Sequence, residues 1–232
     1  MSWRDFWNAD TPIYVNERHK ALHYGLIARD IVGLIPSRDA AVLDYGCGEA
    51  LSAGRVAAAC GRLYLCDGAP LVRERLGARF RGDLNVVVLS PEEMEAVADG
   101  SLDLVVVNSL LQYLSVEEFG GLLGLWRRKL KSSGQLVVAD VIPPDLRAVD
   151  DAAALLSFAW KGGFLTAAVQ GLARTAVSEY RKLRAELGLT HYSAAEMLDI
   201  LRGRGFAAER RPVNLGHNPK RMTFVARPVG DD

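Results

Sequence analysis

From residue 40 onward, short β-branched and aliphatic runs alternate with stretches whose apolar positions recur every three or four residues. The runs are Ala41–Tyr45, Arg62–Cys66, Asn85–Leu89, Leu102–Asn108 and Gln135–Ile142. Helical stretches fall between them, at Glu49–Cys60, Leu71–Phe80, Pro91–Val97 and Val116–Leu130. In Asp103-Leu-Val-Val-Val-Asn108 the apolar residues are consecutive, the pattern of a parallel strand covered on both faces. Strand and helix in alternation, joined by right-handed crossovers, build a doubly wound sheet. Ser115 with Glu118, and Ser193 with Glu196, have the capping-box spacing that opens a helix.

Both ends of the chain depart from this alternation. Residues Ile13 to Ile35 read as one helix that stops before Pro36. After Pro143-Pro144, residues 145 to 188 read as all-helical; Ser193–Arg204 gives a further helix, and Gly205 stops it. Two last strands, Phe206–Val213 and Met222–Arg227, flank the polar loop Leu215–Lys220. A hairpin there places an antiparallel strand in an otherwise parallel sheet. The expected organisation is one domain over 1–232: a helical cap at 1–38, a core at 39–144, a helical lid insertion at 145–190, and a closing helix and hairpin at 191–232.

Half the residues are hydrophobic and 24% are charged, which excludes a disordered or low-complexity chain. Lys plus Arg and Asp plus Glu both count 28, so the basic excess of a dedicated nucleic-acid binder is missing. Arg127, Arg128 and Lys129 share a helical stretch with Glu117 and Glu118, as on a solvated helix face. Cys47, Cys60 and Cys66 form no CxxC and no ligand-like cluster with the four histidines, which argues against a disulfide scaffold and a structural zinc. The opening segment MSWRDFWNAD carries Arg4 and Asp5 where a signal peptide needs an apolar run, so a reducing, cytoplasmic setting is expected.

The densest chemistry lies in Val42-Leu-Asp-Tyr-Gly-Cys-Gly-Glu49, where a strand carrying Asp44 turns through Gly46 and Gly48 toward a helix. Glycines let the backbone approach a ligand, and a helix N-terminus offers N–H groups to an anion. A dinucleotide fingerprint would need glycine at 51, where the chain has Leu51. Asp67, followed by Gly68, ends the next strand at about the 20-residue interval where a carboxylate meets ribose hydroxyls. A nucleoside ligand follows from the two together; apart, they also fit a plain strand-to-helix turn and a helix cap.

Leu43-Asp-Tyr-Gly-Cys-Gly48, Asp67, LDLVVVNSLLQYL at 102–114, the strand GQLVVADV, and HYSAAEMLDILRGRGF at 191–206 before a terminal hairpin resemble the class I S-adenosylmethionine-dependent methyltransferases, of the small-molecule type 11/12-like kind. The resemblance implies an α/β fold: a doubly wound, Rossmann-like, mostly parallel seven-stranded sheet with a C-terminal antiparallel hairpin and a helical lid insertion. Its cofactor would be S-adenosyl-L-methionine. Gly46 and Gly48 would pass under the methionine moiety, with Asp44 near its ammonium, and Asp67 and Gly68 would hold the ribose. Ser90 stands where members often have an Asp contacting the adenine amine, and Pro91 lacks the N–H that commonly meets the ring, so Glu92 or Met94 enters as a substitute contact. Asn108 and Ser109 would flank the methionine part and face the substrate. Asn108-Ser-Leu-Leu is not the Asn-Pro-Pro-Tyr pattern of amide- and nucleobase-methylating members, which sets those substrates aside. From the N-terminal helix, Arg18 would pair with the cofactor carboxylate and Tyr14 would contact the sulfonium region.

A methyl acceptor that keeps its proton at neutral pH needs a general base. His19 and His191 are the catalytic candidates, with His23 and Tyr113 beside them; His191 precedes a helix that commonly lines the acceptor pocket in the family. His19 and His23 lie one helical turn apart, but no third metal ligand is suggested, and no metal is expected. Ala152–Ala173 carries one charge, Lys161, and is divided by Gly162-Gly163. It fits two helices of a lid, an apolar substrate pocket, or a peripheral membrane contact through 152–173. The expected function is methyl transfer to a small, fairly apolar acceptor such as a lipid, quinone or secondary metabolite, by a monomer or homodimer that binds no nucleic acid. A non-catalytic cofactor-binding or scaffold module is the alternative, and a nicotinamide-dependent oxidoreductase is disfavoured by Leu51 and the terminal hairpin.

Overall fold

The computed structural model describes residues 14–175 and 189–230. Helix α1 (Glu17–Val32) is capped by Asn16, whose side chain accepts from the His19 amide, and buries Ile27, Ala28 and Ile31. It leads into β1 (Ala41–Tyr45), α2 (Ala53–Ala57), β2 (Arg62–Cys66), α3 (Pro70–Arg79), β3 (Val86–Leu89), α4 (Pro91–Met94) and β4 (Leu102–Asn108). A single 3-10 turn at Leu111–Tyr113 precedes α5 (Val116–Lys129) and β5 (Leu130–Val141). The segment expected as a lid forms α6 (Ala148–Gly162) and α7 (Leu165–Thr175). After them come α8 (Ala194–Gly203), β6 (Phe206–Arg210) and β7 (Met222–Pro228).

The seven strands run in the order β3-β2-β1-β4-β5-β7-β6. The first five are mutually parallel, and β7 joins antiparallel to both β5 and β6. The reversal of strand order between β1 and β4 opens a crevice at the strands' carboxyl ends, where ligands of doubly wound sheets bind. The central strands are buried on both faces because their side chains alternate between two cores. Leu43, Val105, Val107, Leu136 and Val138 pack under Phe119, Leu123 and Trp126 of α5 and Met197 and Leu201 of α8. Val42, Leu63, Leu65, Leu104, Val106 and Val137 pack under Ile27 and Ile31 of α1, Val56 of α2 and Leu76 of α3.

The bounds of β1, β2 and β4 are those expected from the apolar runs. The capping boxes at Ser115 and Ser193 are formed. Several elements are shorter than expected: α1 spans Glu17–Val32 within Ile13–Ile35, α4 stops at Met94 and β6 at Arg210. Two further differences have a local cause. β5 starts at Leu130, five residues early, because Leu130 already pairs with Leu102, and the polar residues 131–134 form the irregularity before Gln135 pairs with Leu104. The helix expected from Glu49 to Cys60 contracts to Ala53–Ala57, since Glu49 to Ser52 are used to turn the chain, with Ala50 at φ 41°. The lid segment does divide at the glycine pair: Gly163 adopts φ 70° and ends α6. Residues 176 to 188 of the expected all-helical stretch lie outside the described residues. Among the described residues, no helix is long and apolar enough to cross a membrane.

Candidate functional site

The turn after β1 is held by β2. The amides of Gly46 and Cys47 both donate to the Cys66 carbonyl, at 2.8 and 3.2 Å. Gly46 and Gly48 sit at φ 74° and 56°, in the left-handed region that costs other residues about 1–2 kcal/mol. Space also demands glycine: a Cβ at Gly46 would lie 3.0 Å from Leu110 Cδ2, and one at Gly48 would lie 3.1 Å from the Tyr24 hydroxyl. Asp67, at the end of β2, closes on this turn. Its Oδ2 accepts from the Gly48 amide at 2.9 Å and its Oδ1 from the Ala69 amide at 2.8 Å. Each oxygen keeps a second lone pair for a hydroxyl donor. Burial pushes the Asp67 carboxyl up, against the pull of those amides and of Arg73.

Asp44 is the most perturbed acid of the crevice. Burial, then the neighbouring Asp67, pushes it up to about 7. Among the described residues its carboxylate accepts no hydrogen bond, and a cation placed beside it would favour its ionised form. Asn108, at the end of β4, is similarly incomplete: its Nδ2 donates to Ser109 Oγ at 3.1 Å, and its Oδ1 is buried with no partner.

Several expected contacts are placed differently. The Glu49 amide, the first of those expected to face an anion, donates to the Tyr24 hydroxyl at 3.1 Å, and the Gly48 amide is taken by Asp67. Tyr24 was missed; it reaches the turn from α1, pairs its hydroxyl with that of Tyr14, and is raised to about 12, first by burial. Tyr14 itself is pushed well above the ordinary tyrosine range by burial and by Tyr24. Arg18 donates its Nε to the Gly162 carbonyl, so it clasps the end of α6 instead of the turn. Ser90 is the N-cap of α4 in a complete capping box with Glu93, a role that Ser90-Pro-Glu-Glu93 carries in its spacing. Gly68 is exposed, with open space about it. His191 is exposed on the loop before α8, away from the cavity described next.

One strand along from the glycine turn, over the ends of β4 and β5, lies a cavity of about 210 Å³. Its floor is polar. Ser109, at φ 56°, donates its hydroxyl to Asp140 Oδ2 at 2.7 Å, and Asp140 adopts φ 61° to meet it. Arg221, at the start of β7, donates to the same oxygen at 2.7 Å and forks onto both oxygens of Asp151 at 3.1 Å, tying the sheet to lid helix α6. Burial works against the Arg221 charge, and Asp140 and Asp151 more than offset it. Asn218 adds a bond to Asp151 at 2.7 Å. The walls are Ile27, Leu155 and Leu215, together with His19, His23 and His217.

The three histidines form the roof with the lid's aromatic rings. His19 stacks on Phe164 (5.1 Å between centroids) and His217 on Phe158 (4.9 Å). Burial, then His217, lowers His19 to about 4; burial, then His217, His19 and Arg221, lowers His23 to about 3. His217 is also lowered, chiefly by burial, with Asp140 and Asp151 pulling the other way. All three are therefore neutral at pH 7. Among the described residues no group of three His, Cys, Asp or Glu is placed to hold a metal ion. The structure thus joins His19, Asn108 and Ser109 at one cavity. Sequence reasoning missed His217, Asp140, Asp151 and Arg221, which the chain separates by up to 81 residues in their direct bonds.

Residues 43–138 match the family model described as a methyltransferase domain. No curated protein matches the sequence. Among solved structures, a chain of the Haloferax volcanii complex containing the Trm112 methyltransferase activator aligns at 17% identity and TM-score 0.63, covering 99% of each chain. The complex of DhpI with S-adenosylhomocysteine aligns at 14% and 0.62, over 98% of this chain and 96% of that one. Magnesium protoporphyrin IX methyltransferase (ChlM) from Synechocystis, also with S-adenosylhomocysteine bound, aligns at 14% and 0.58, over 99% and 93%. The seven-stranded sheet with its antiparallel hairpin is thus the Rossmann-like methyltransferase fold.

Proposed function

We propose that this chain, whose residues 43–138 match the methyltransferase-domain model, binds S-adenosyl-L-methionine at the glycine turn and transfers its methyl group to a small molecule held in the adjoining cavity. The observation that carries this is Asp44: a buried carboxylate raised to about 7, without a hydrogen-bond partner among the described residues, beside two left-handed glycines and Asp67. A zwitterionic amino acid joined to a nucleoside suits that surface. Its ammonium would meet Asp44, its ribose hydroxyls would meet the free lone pairs of Asp67, and its methionine chain would cross Gly46 and Gly48. The buried, unpartnered Asn108 Oδ1 supports the same occupant, since it stands between the turn and the cavity. Arg18 and Ser90 are already engaged elsewhere, so the carboxylate and adenine ends lean less on them.

When bound, the cofactor supplies an electrophilic methyl on a sulfonium. The protein's part is to align the acceptor with that methyl and to keep water out. Asn108 and Ser109 mark the boundary between the two ligands, because they end β4, the strand between the turn of β1 and the Asp140 end of β5. The rings of His19, Phe158, Phe164 and His217 pack together over the cavity. At about 210 Å³ the cavity is below the roughly 300–1,000 Å³ of pockets that engulf a drug-sized ligand. It therefore admits a small acceptor, or the reacting end of a larger one. Its lining offers that acceptor polar groups at Ser109, Asp140, Arg221, His23 and His217 and apolar surface at Ile27, Leu155 and Leu215.

Calorimetric titration with S-adenosylmethionine, S-adenosylhomocysteine and NADH tests the proposal. Micromolar binding of both sulfur ligands, about −8 kcal/mol, weakened in Asp67→Ala, is expected. Binding of NADH alone would refute it.

A further inference from the structure

We infer that the cavity receives a hydroxyl group of the methyl acceptor between His23 and His217, and that His217 takes the hydroxyl proton as the methyl is transferred; the inference rests on the methyl-transfer proposal. His23 Nδ1 is buried without a hydrogen-bond partner, and the ring lines the cavity. His217 lines the cavity as well, and neither of its ring nitrogens is hydrogen-bonded among the described residues. The two ring centroids lie 5.9 Å apart at 74°. One oxygen, bonded to each ring at about 2.8 Å, can bridge such a pair.

The surroundings divide the labour. Burial, then His217, His19 and Arg221, all oppose a positive charge on His23, and the Tyr14 and Tyr24 rings pack against it at 5.5 and 5.7 Å without carrying charge at neutral pH. His23 stays neutral and can donate one N–H to the acceptor oxygen. His217 faces Asp140 from β5 and Asp151 from α6, which favour its cation, against Arg221 beside β7. On its other sides stand His19 and His23 of α1 and the Phe158 ring of α6. Both carboxylates are already bonded to Arg221, so they can support an imidazolium at His217 without themselves binding an ammonium substrate. A cationic amine acceptor therefore finds no unshared carboxylate here, and a thiol ionises without such help. A hydroxyl is the acceptor that needs a base as its bond forms.

In the step, a lone pair of the acceptor oxygen forms the bond to the methyl carbon while the carbon–sulfur bond breaks and its electron pair stays on sulfur. The hydroxyl proton moves to His217. A methyl ether, a neutral thioether and an imidazolium beside Asp140 and Asp151 result, and the imidazolium returns its proton to water on release. His23 proximity to the turn supports this arrangement: its ring is 5.7 Å from Tyr24, whose hydroxyl meets the Glu49 amide.

The test is S-adenosylhomocysteine formation by the full chain at saturating S-adenosylmethionine, with libraries of small alcohols and phenols, matched amines and matched thiols. Turnover of hydroxyl compounds is expected, with a rate that falls below the ordinary histidine value of 6.5. His217→Gln should lower kcat by at least about 100-fold and flatten that acid limb. It should leave cofactor binding and thermal unfolding close to those of the parent. His23→Asn should raise KM more than it lowers kcat. Turnover confined to amines or thiols, silence of the hydroxyl library while the cofactor binds, or a His217→Gln variant with full kcat would each overturn the inference. Failure to bind the cofactor at all would instead remove the methyl-transfer proposal beneath it.

Discussion

Asp44→Asn is expected to make the protein more stable and less able to bind its cofactor. The Asp44 carboxyl rises from 3.8 to about 7 in the folded chain, roughly three units, and each unit is about 1.4 kcal/mol of discrimination against the charged form. The sign follows from proton counting. Between pH 3.8 and 7 the folded chain holds a proton that the unfolded chain has released, so stability falls as pH rises through that window. Above pH 7 the full penalty, about 4 kcal/mol at most, is felt. Asparagine has nearly the same shape and no charge to desolvate, so it recovers most of that energy at pH 8 and almost none at pH 4. For a domain of this size, 1 kcal/mol moves Tm by about 2–4 °C, so a gain of about 5–15 °C is expected at pH 8. Scanning calorimetry of both proteins at pH 4, 6 and 8 reads the difference directly. The same variant should bind S-adenosylmethionine about 10- to 100-fold more weakly, the worth of a hydrogen bond to a charged group. A variant that is no more stable than the parent at pH 8, or equally stabilised at pH 4 and pH 8, would refute the reasoning.

Gly48→Ala should weaken S-adenosylmethionine binding by tenfold or more, since its Cβ lies 3.1 Å from the Tyr24 hydroxyl and φ 56° disfavours it; adding Tyr24→Phe should restore part of that affinity in calorimetry. The lowered His19 and His23 act in the opposite sense to Asp44: the unfolded chain protonates them below pH 6.5 and the folded chain does not until about 4 and 3, so stability falls as pH falls through that window. Urea unfolding at pH 7 and pH 5 should show this loss, and a His19→Gln, His23→Gln pair should shrink it. Trp126→Ala empties a fully buried site under β1 and α5 and should cost about 3–5 kcal/mol in the same assay. Arg221→Met leaves Asp140 and Asp151 without their shared cation and should cost about 3 kcal/mol or more.

The fold was legible where burial repeats locally. β1, β2 and β4 declared themselves because Val42-Leu43, Leu63 to Cys66 and Leu104 to Val107 are uninterrupted apolar runs ended by a polar residue or glycine. The early start of β5 was hidden behind Lys131-Ser-Ser-Gly134, whose polarity suits a loop, and rests on the pairing of Leu130 with Leu102 across that irregular stretch. At the site, Asp44, Gly46, Gly48 and Asp67 could be found because one turn and one interval hold them together. The acceptor side could not. Asp140, Asp151, His217 and Arg221 come from a strand, a lid helix and a loop, and each alone reads as an ordinary surface residue. Ser90 was assigned by analogy to a ligand contact when its own spacing to Glu93 already announced a cap.

The antiparallel return of β7 sets a timetable for the molecule during synthesis. The glycine-turn crevice draws on residues 44 to 109, but His217 and Arg221 emerge from the ribosome much later, on the loop that leads into β7. On the proposed function, a growing chain thus has a nest for the methyl donor well before it has a wall for the acceptor. On the same proposal the donor stabilises the first half while the second is still being made, and methyl transfer waits until β7 has slotted in between β5 and β6.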